Sequence, residues 1–370
     1  MSDEARGCRE LFNEVIDAGL CTLCGACTGV CPYLVHYKGR VALLDNCTVA
    51  DGRCYRHCPR TYSDLNEVSQ KVFGVPFQAD ELGVVRETLL ARSTDQEIQH
   101  KGQDGGTVTG LLAVALADGF IEGVVETGMA DDKSPQGVVA RSRQELLQCA
   151  GNSYEPSPVL ERLNRVTRES NEKLAVVGLP CQTFAVSKMK AYPAARDMNI
   201  DNVRLVIGLF CGWVLTGGFH QFLQEKFDLS RVVKFDIPHH PGNTFDVYYE
   251  SGKESVELDE IRRFISPGCS YCWDMTAEFA DISVGSGRAK FRGWNTVIVR
   301  SEAGAELVER ARARGALETR PLPEENETHL KKVMRDKKKR ILNQIIARTG
   351  DRSDLLYVGL PDEIVSRLLT

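Results

Sequence analysis

The sequence predicts an α/β fold with a mixed sheet, preceded by a small cysteine-rich domain. Seven of the thirteen cysteines in this 370-residue chain lie between Cys21 and Cys58, where little regular structure is expected. From about residue 82 onward, short apolar runs alternate with amphipathic stretches, which is typical of strands that alternate with helices. Hydrophobic residues make up 42% of the chain and charged residues 26%, the composition of a folded protein.

The charge and the apolar runs exclude several classes of protein. A net charge of −5 argues against a broad nucleic-acid-binding surface. The first residues show no basic region followed by an apolar one, so no signal peptide is visible. The longest near-apolar run, 205–219, is shorter than the roughly 20 residues of a membrane span. We therefore expect a cytoplasmic protein whose reduced thiols serve metal or redox chemistry rather than disulfides.

The N-terminal region is predicted to contain only short elements. Residues 4–19 carry apolar side chains on one helical face and end at Gly19, which predicts a short helix. The segments 33–36 and 41–44 are predicted to pair as a small hairpin. Residues 61–80 are expected to be a linker, since glycine and proline interrupt any regular pattern there.

The core is predicted to alternate strands with helices, and its strand order is left open. Strands are expected at residues 88–91, 120–126, 173–177, 203–210, 281–284 and 296–299. Helices are expected at 93–101, 106–117, 180–190, 217–227 and 303–313, with a hairpin formed by 245–249 and 255–258.

These elements predict a division of the chain into three parts. Residues 1–75 are predicted to form the small domain, 76–350 the α/β core and 351–370 a C-terminal tail. The basic stretch Lys331–Arg340 lies in a predicted C-terminal helix, and charge runs of this kind usually form a solvated helix face.

The first cysteine run has the spacing C-x₂-C-x₂-C-x₃-C-P of bacterial ferredoxins. Its members are Cys21, Cys24, Cys27 and Cys31. Three thiolates on a tight loop can reach three irons of one cubane, while the fourth points to a second cluster. A structural zinc site is the alternative, but zinc sites use paired C-x₂-C knuckles and do not need the repeated Cys-Pro dipeptide.

The second run is Cys47, Cys54 and Cys58, the last again followed by proline. In two-cluster modules the Cys-Pro cysteine of the second run completes the first cluster, so the first cluster is assigned to Cys21, Cys24, Cys27 and Cys58. The second cluster takes Cys31, Cys47 and Cys54. Its fourth ligand is open between Cys8 and Asp51, and a three-iron cluster is also possible.

Four later cysteines follow predicted strands or form a short pair: Cys181, Cys211, Cys269 and Cys272. Ligand sites in open α/β sheets lie at the carboxyl ends of the strands. A third [4Fe–4S] cluster at that edge is therefore one interpretation of these residues. From spacing alone, buried core cysteines with a chance C-x₂-C are an equal alternative.

Two glycine-containing turns are candidates for contacts to phosphate. Residues 103–110 precede a predicted helix, and glycines and threonines at a helix N-terminus offer N–H groups, hydroxyls and a favourable dipole. The turn matches neither the dinucleotide-binding fingerprint nor the Walker A loop. A capped helix start that binds no ligand explains these residues equally well. The candidate residues are Lys101, Gln103, Asp104, Gly105, Gly106, Thr107 and Thr109, with Ser286 and Arg288 in the second turn.

No acid–base side chain stands out among the seven histidines. His57 lies beside the predicted ligand Cys58 and could contact a cluster from the second shell, but a surface histidine is the favoured interpretation.

Together these motifs resemble the beta subunit family of coenzyme F420-reducing hydrogenase, over roughly residues 84–345. The segments that carry the resemblance are 91–95, 103–112, 180–182, 207–211, Cys269 with Cys272, and 280–286 leading into 293–294. The N-terminal segment looks like that of longer members, which fuse a ferredoxin-like module to the core. The resemblance implies an FAD-binding core, with FAD phosphate at Asp104–Thr109 and a [4Fe–4S] cluster on Cys181, Cys211, Cys269 and Cys272.

The leading functional hypothesis is an electron-transfer subunit. A flavin accepts a hydride and releases single electrons, or the reverse, whereas iron–sulfur clusters carry one electron each. The chain is expected to join coenzyme F420, or a similar hydride carrier, to a hydrogenase, formate dehydrogenase or heterodisulfide-reductase-like partner. The alternatives are a standalone flavin reductase that takes electrons from ferredoxin, and an iron–sulfur adaptor without flavin. The catalytic chemistry is expected at the flavin rather than at a side chain.

Overall fold

The computed structural model describes residues 6–45, 47–79, 81–193, 199–238, 241–287 and 289–370. Its strands, numbered along the chain, are β1 Leu34–Tyr37, β2 Arg40–Leu43, β3 Ser63–Asp64, β4 Glu87–Ser93, β5 Gly123–Met129, β6 Pro135–Ala140, β7 Leu174–Gly178, β8 Val203–Leu209, β9 Lys234–Asp236, β10 Thr244–Tyr249, β11 Gly252–Glu257, β12 Ile282–Ser286, β13 Asn295–Val299, β14 Leu317–Pro321 and β15 Val358–Gly359.

The α-helices follow the same order. They are α1 Cys8–Leu11, α2 Arg53–Arg56, α3 Leu65–Phe73, α4 Gln96–Lys101, α5 Thr107–Ala117, α6 Arg143–Cys149, α7 Val159–Glu169, α8 Pro180–Ala191, α9 Gly218–Lys226, α10 Leu258–Arg262, α11 Glu302–Ala313, α12 Glu324–Thr349 and α13 Asp362–Leu369. None of these helices has both the length and the apolar character that crossing a membrane requires.

A mixed sheet in the order β14-β4-β13-β12-β8-β7-β5-β6 forms the centre of the described structure. Neighbours among β5, β7, β8 and β12 run parallel, and the other pairs are antiparallel. Every residue of β7 and β13 is buried, as expected for strands covered on both faces. The predicted mixed α/β class is therefore confirmed.

Helices pack on both faces of this sheet. Apolar side chains of α5 and α11, such as Leu111 and Leu307, share one core with the strands. On the other face α7 and α8 contribute Leu163 and Val186 to a second core. The carboxyl ends of β7, β8 and β12 therefore meet at one edge between the two helix layers, where ligands bind in open α/β sheets.

A smaller antiparallel sheet of β9, β10 and β11 comes between β8 and β12 of the main sheet in the sequence. The predicted hairpin is confirmed, with Phe245 paired to Val256. Phe245 is fully buried and packs edge-on against Phe219 of α9, with ring centroids 5.4 Å apart. This aromatic core holds the small sheet and α9 together.

Helix α7 holds the N-terminal domain against the core. The buried Asn164 side chain donates to the backbone oxygens of Gly25, Ala26 and Thr28, at 3.3, 3.1 and 2.7 Å. Gly25 has φ +86°, and a Cβ there would lie 2.6 Å from the backbone nitrogen of Glu161. Only glycine therefore allows this loop to approach the helix so closely.

Two of the sequence expectations differ from the structure at the domain junction. Residues 61–80, predicted as a linker, contain β3 and the whole of α3, capped by the Asp64 carboxylate. Residues 351–370, predicted as a tail, contain β15 and α13, and β15 pairs in parallel with β3. Both segments are stabilised by contacts between distant parts of the chain, as when Val68 and Val365 enter one core, which local patterns do not reveal.

The basic stretch Lys331–Arg340 lies in α12 as expected, but not all of its charged side chains face solvent. Lys337 and Lys338 are buried. The ammonium of Lys338 lies 2.7 Å from the carboxylate of Glu278, and both side chains are fully inaccessible to solvent. A buried charge needs such a partner, which the charge run could not indicate.

Candidate functional site

The first predicted group of cysteines lines one narrow internal cavity. Cys21, Cys24, Cys27 and Cys58 all contribute to its wall. The loop bends back on itself because Gly25 adopts a left-handed conformation. Sequence spacing and structure therefore agree on which four thiols come together.

Backbone amides and burial shape the chemistry of these thiols. The N–H of Leu23 donates to Cys21 Sγ at 3.5 Å, and the N–H of Arg60 donates to Cys58 Sγ at 3.4 Å. Burial raises the pKa of Cys24 to about 12, with a further contribution from Cys58. Several buried thiolates in one cavity need positive charge at their centre, which a metal centre supplies. The donor set thus fits an iron–sulfur cluster.

The second group contains Cys8 together with Cys31, Cys47 and Cys54. Burial raises the pKa of Cys54 to about 12, and the three other thiols raise it further. Burial, Cys47 and Cys31 likewise raise the pKa of Cys8 to about 11. Four thiols therefore lie within electrostatic reach of one another.

The start of α1 brings Cys8 to this group. A Cβ on Gly52 would lie 3.0 Å from both Cys54 Sγ and the Cα of Gly7, so the two backbone segments touch. The other candidate ligand, Asp51, forms an ion pair with Arg56 and is largely exposed. Of the two candidates left open by the sequence, Cys8 is the one the structure places among the thiols.

The third group brings Cys181, Cys211, Cys269 and Cys272 together. Burial raises the pKa of Cys211 well above its ordinary value, and Cys269, Cys181 and Cys272 add to the effect. The alternative of unrelated core cysteines does not account for this convergence.

Backbone pairing delivers these residues to the sheet edge. The N–H of Cys211 donates to the carbonyl of Met275 at 2.9 Å, and the N–H of Val214 donates to Cys269 Sγ at 3.4 Å. Cys181 lies in the first turn of α8, directly after β7. The strand ends therefore meet the turn that carries the C-x₂-C pair.

No described residues form a group of three or more His, Cys, Asp or Glu side chains suited to one metal ion. A single zinc ion draws its thiolates together at about 2.3 Å from the metal. The C-x₂-C-x₂-C-x₃-C-P spacing of the first run is what favours an iron–sulfur cluster over structural zinc.

The two glycine-containing turns meet at Asn295, a residue that sequence reasoning missed. Its side-chain oxygen accepts from the N–H of Thr107 at 3.2 Å, and its amide donates to the carbonyl of Gly285 at 3.2 Å. The Thr107 hydroxyl donates to the carbonyl of Ala91 at 3.0 Å. Both the N–H and the hydroxyl of Thr107 thus donate to protein atoms. Because Gly285 lies directly before Ser286, Asn295 links the two predicted turns.

The other predicted phosphate contacts differ in their surroundings. Gly105 and Gly106 are buried, and a Cβ on either would lie only 2.9 Å from neighbouring atoms, so a larger residue would not fit at either position. Gln103 bonds through its amide to the carboxylate of Asp236, while its oxygen is buried without a partner among the described residues. That orphaned oxygen marks a position where a ligand could donate. The remaining candidates lie as follows: Asp104 half-buried with φ +52°, Thr109 buried in α5, Ser286 half-buried, Lys101 exposed, and Arg288 outside the described residues.

Further polar side chains that no sequence motif marks lie near Gln103 and Asp236. The Tyr154 hydroxyl accepts from the N–H of Ile237 at 3.0 Å, and burial, Asp236 and Asp104 together raise its pKa. Next along the chain, Glu155 lies 3.0 Å from the ring of His220. These groups join the sheet edge to the smaller sheet.

His57 is buried beside Cys58, so the expectation of a surface histidine is wrong. It is 1% exposed, and its Nε2 lies 3.2 Å from the carbonyl oxygen of Tyr192. Burial lowers its pKa to about 4. The neutral ring therefore packs between the N-terminal domain and the end of α8.

Comparison with known sequences gives matches over most of the chain. Residues 88–164 match the N-terminal part, and residues 171–325 the C-terminal part, of the coenzyme F420 hydrogenase/dehydrogenase beta subunit. Residues 14–35 match a 4Fe–4S binding domain.

Individual relatives and a solved structure agree. Coenzyme F420 hydrogenase subunit beta of Methanothermobacter thermautotrophicus is 37% identical, over 72% of this chain and 96% of that protein. Coenzyme F420-dependent sulfite reductase of Methanocaldococcus jannaschii is 32% identical, over 80% of this chain and 46% of that protein. A chain of the F420-reducing [NiFe] hydrogenase complex from Methanosarcina barkeri superposes with TM-score 0.66 at 33% identity, over 75% of this chain and 96% of that chain.

Proposed function

Because the chain belongs to the coenzyme F420 hydrogenase/dehydrogenase beta subunit family, we propose that it is an iron–sulfur flavoprotein electron-transfer subunit. It interconverts hydride transfer to or from coenzyme F420, or a similar carrier, and one-electron transfer to a partner redox protein. Two similar proteins are named as subunits of F420 hydrogenase, and a third as an F420-dependent sulfite reductase. These relatives are named for different reactions, while coenzyme F420 recurs in their names.

The observation that carries this proposal is the succession of three cysteine groups. The turn that holds Cys269 rests on the loop that holds Cys21, since a Cβ on Gly268 would lie 2.9 Å from the Cys21 carbonyl oxygen. The second group shares the N-terminal domain with the first through Cys31 and Cys54. Adjacent cluster sites of this kind suit stepwise one-electron transfer.

The cysteine groups and the glycine-containing turns have different roles in this proposal. Each group of four thiols holds one [4Fe–4S] cluster, and backbone N–H groups donate to the ligand sulfurs. FAD, when bound, supplies the exchange between two-electron and one-electron chemistry. The edge formed by Gln103–Thr109 and Ser286 holds it, with the orphaned Gln103 oxygen as an acceptor and Lys101 and Arg288 for its phosphates.

The test is cofactor analysis of the anaerobically purified and reconstituted chain. We expect about one FAD and roughly twelve irons per chain, as three cubanes require. An anaerobic assay with F420, NADH and NADPH, each coupled to a viologen dye, then identifies the carrier. Protein without flavin would contradict the proposal. Reduction by a nicotinamide but never by F420 would overturn F420 as the carrier.

Co-purification separates the leading proposal from a standalone ferredoxin-dependent reductase. A subunit of a larger complex elutes with redox partners from gentle anaerobic purification. A chain that elutes alone and reduces an organic substrate with ferredoxin would favour the alternative.

A further inference from the structure

Arg60 is a buried cation between the first and third cysteine groups. Only 4% of the residue is exposed. Its guanidinium donates to the carbonyl oxygens of Tyr271 at 3.0 Å and Gly268 at 3.2 Å, both in the turn that carries Cys269. Its own backbone N–H donates to Cys58 of the first group. One residue thus bridges the two groups.

The charge of Arg60 reaches thiols on both sides. Arg60 lies two residues from Cys58 in the chain, and its guanidinium bonds to the turn that carries Cys269 and precedes Cys272. Among the described residues, none of these hydrogen bonds reaches Cys8 or Cys54 of the second group.

Two buried polar groups point to further contacts at this junction. Arg60 Nε is buried and has no hydrogen-bond partner among the described residues. The buried hydroxyl of Thr22 lies beside the thiols of Cys24 and Cys181. Buried donors of this kind suit the sulfur atoms of bound clusters, because such sulfurs accept hydrogen bonds and these bonds raise the reduction potential.

We propose that Arg60 is a positioning residue that raises the reduction potentials of the clusters held by the first and third cysteine groups, but not that of the second. This rests on the proposed function, since it requires both clusters. Reduction adds one electron and makes a cluster more negative, without a proton. A fixed buried cation nearby stabilises the reduced form, and weak solvent screening strengthens the effect.

The reduction potentials of both clusters therefore depend on the same cation, Arg60. Removing its charge destabilises the reduced form of each cluster, so both potentials fall together. A residue that only supported the turn through Gly268 and Tyr271 would act through geometry instead of charge. Charge and geometry can therefore be separated by choosing the replacement.

The experiment compares Arg60→Gln with Arg60→Lys in the full reconstituted chain. Arg348→Gln is the matched control. Arg60 and Arg348 each lie over a tyrosine ring, 4.5 Å from Tyr357 and 4.8 Å from Tyr271, and each donates to a backbone carbonyl, but Arg348 is exposed. Iron content is measured first. Redox titrations followed by electron paramagnetic resonance then give the midpoint potentials.

We expect Arg60→Gln to lower two midpoint potentials and leave the third unchanged, while Arg60→Lys and Arg348→Gln stay close to wild type. Unchanged potentials in a fully loaded Arg60→Gln protein would overturn the inference. Equal shifts in the glutamine and lysine variants, or loss of iron from both, would also overturn it, since geometry would then be decisive. Failure of the proposed function is distinguishable, because the wild-type chain itself would then lack one of the clusters.

Discussion

Cys8 lies close enough to Cys54 to raise the pKa of its thiol, although the two residues come from opposite ends of the N-terminal domain's sequence. The contact depends on the close approach of Gly7 and Gly52. It gives the second cysteine group a fourth thiol, so a complete cubane fits there as well as in the other two groups.

Replacing Cys8 tests this assignment. Cys8→Ser is expected to lower the iron content by about one third, from three cubanes toward two, or to leave a three-iron cluster in the second group. Iron analysis and electron paramagnetic resonance provide the measurement. Asp51→Asn is the control and should keep all its iron. A loss of iron in the Asp51 variant alone would reverse the assignment.

Asn164 is expected to anchor the N-terminal domain. Asn164→Ala leaves the buried carbonyls of Ala26 and Thr28 without this donor, and an unsatisfied buried group costs about 1–3 kcal/mol. We therefore expect a destabilisation of at least about 2 kcal/mol, measured as a lower unfolding midpoint in urea. Asn199→Ala is the control, because its exposed amide donates to the side chain of Asn171. Equal midpoints for the two variants would refute the anchoring role.

The buried pair of Lys338 and Glu278 yields a test of charge burial. Burial raises the pKa of Glu278 to about 7, and Lys338 opposes this shift. Removing the cation in Lys338→Met should destabilise the protein by about 3–5 kcal/mol. The double variant with Glu278→Gln should recover much of that loss. Lys331→Met, which breaks half-buried but solvent-accessible pairs with Glu327 and Glu81, should cost less than about 1 kcal/mol.

Glu126 should make stability depend on pH. Burial raises its pKa to about 8, from an ordinary value of 4.5, with Cys149 acting weakly against the shift. Between these two values the folded protein holds a proton that the unfolded chain releases. Stability should therefore fall as pH rises through this window, by up to about 1.4 kcal/mol per pH unit.

The matching variant is Glu126→Gln, which cannot titrate. Unfolding midpoints measured from pH 5 to 8 should vary less in this variant than in the wild type. Glu122→Gln is the control, since Glu122 lies just before the same strand and is exposed. Parallel pH profiles in all three proteins would contradict a neutral buried carboxyl at position 126.

Asn295 provides a test of the flavin site. Asn295→Leu keeps the volume of the side chain but removes the bonds to Thr107 and Gly285. We expect the flavin content to fall several-fold while the iron content stays the same, because the cysteine groups do not involve this residue. Asn343→Leu, on the exposed face of α12, should retain both cofactors. Full flavin content in Asn295→Leu would remove these turns from the proposed site.

Local patterns in the sequence predicted part of this structure. The cysteine spacing and the hairpin of β1 and β2 rest on residues close together in the chain. The match of residues 14–35 to a 4Fe–4S binding domain confirms the iron–sulfur motif, and the pairing of β1 with β2 confirms the hairpin. The family resemblance is also confirmed. The roles of Cys8, Asn295 and Lys338 were open or missed, because each depends on a partner that only the folded chain brings near. No local pattern in a single sequence marks such partners.

The pairing of β3 with β15 has a consequence for the order of events during synthesis. β3 follows the last cysteine of the N-terminal domain, whereas β15 comes after every described strand of the main sheet in the chain. This pairing can therefore form only after the strands of the core have been synthesised. Until then the cysteine-rich segment is not held by its contact with β15.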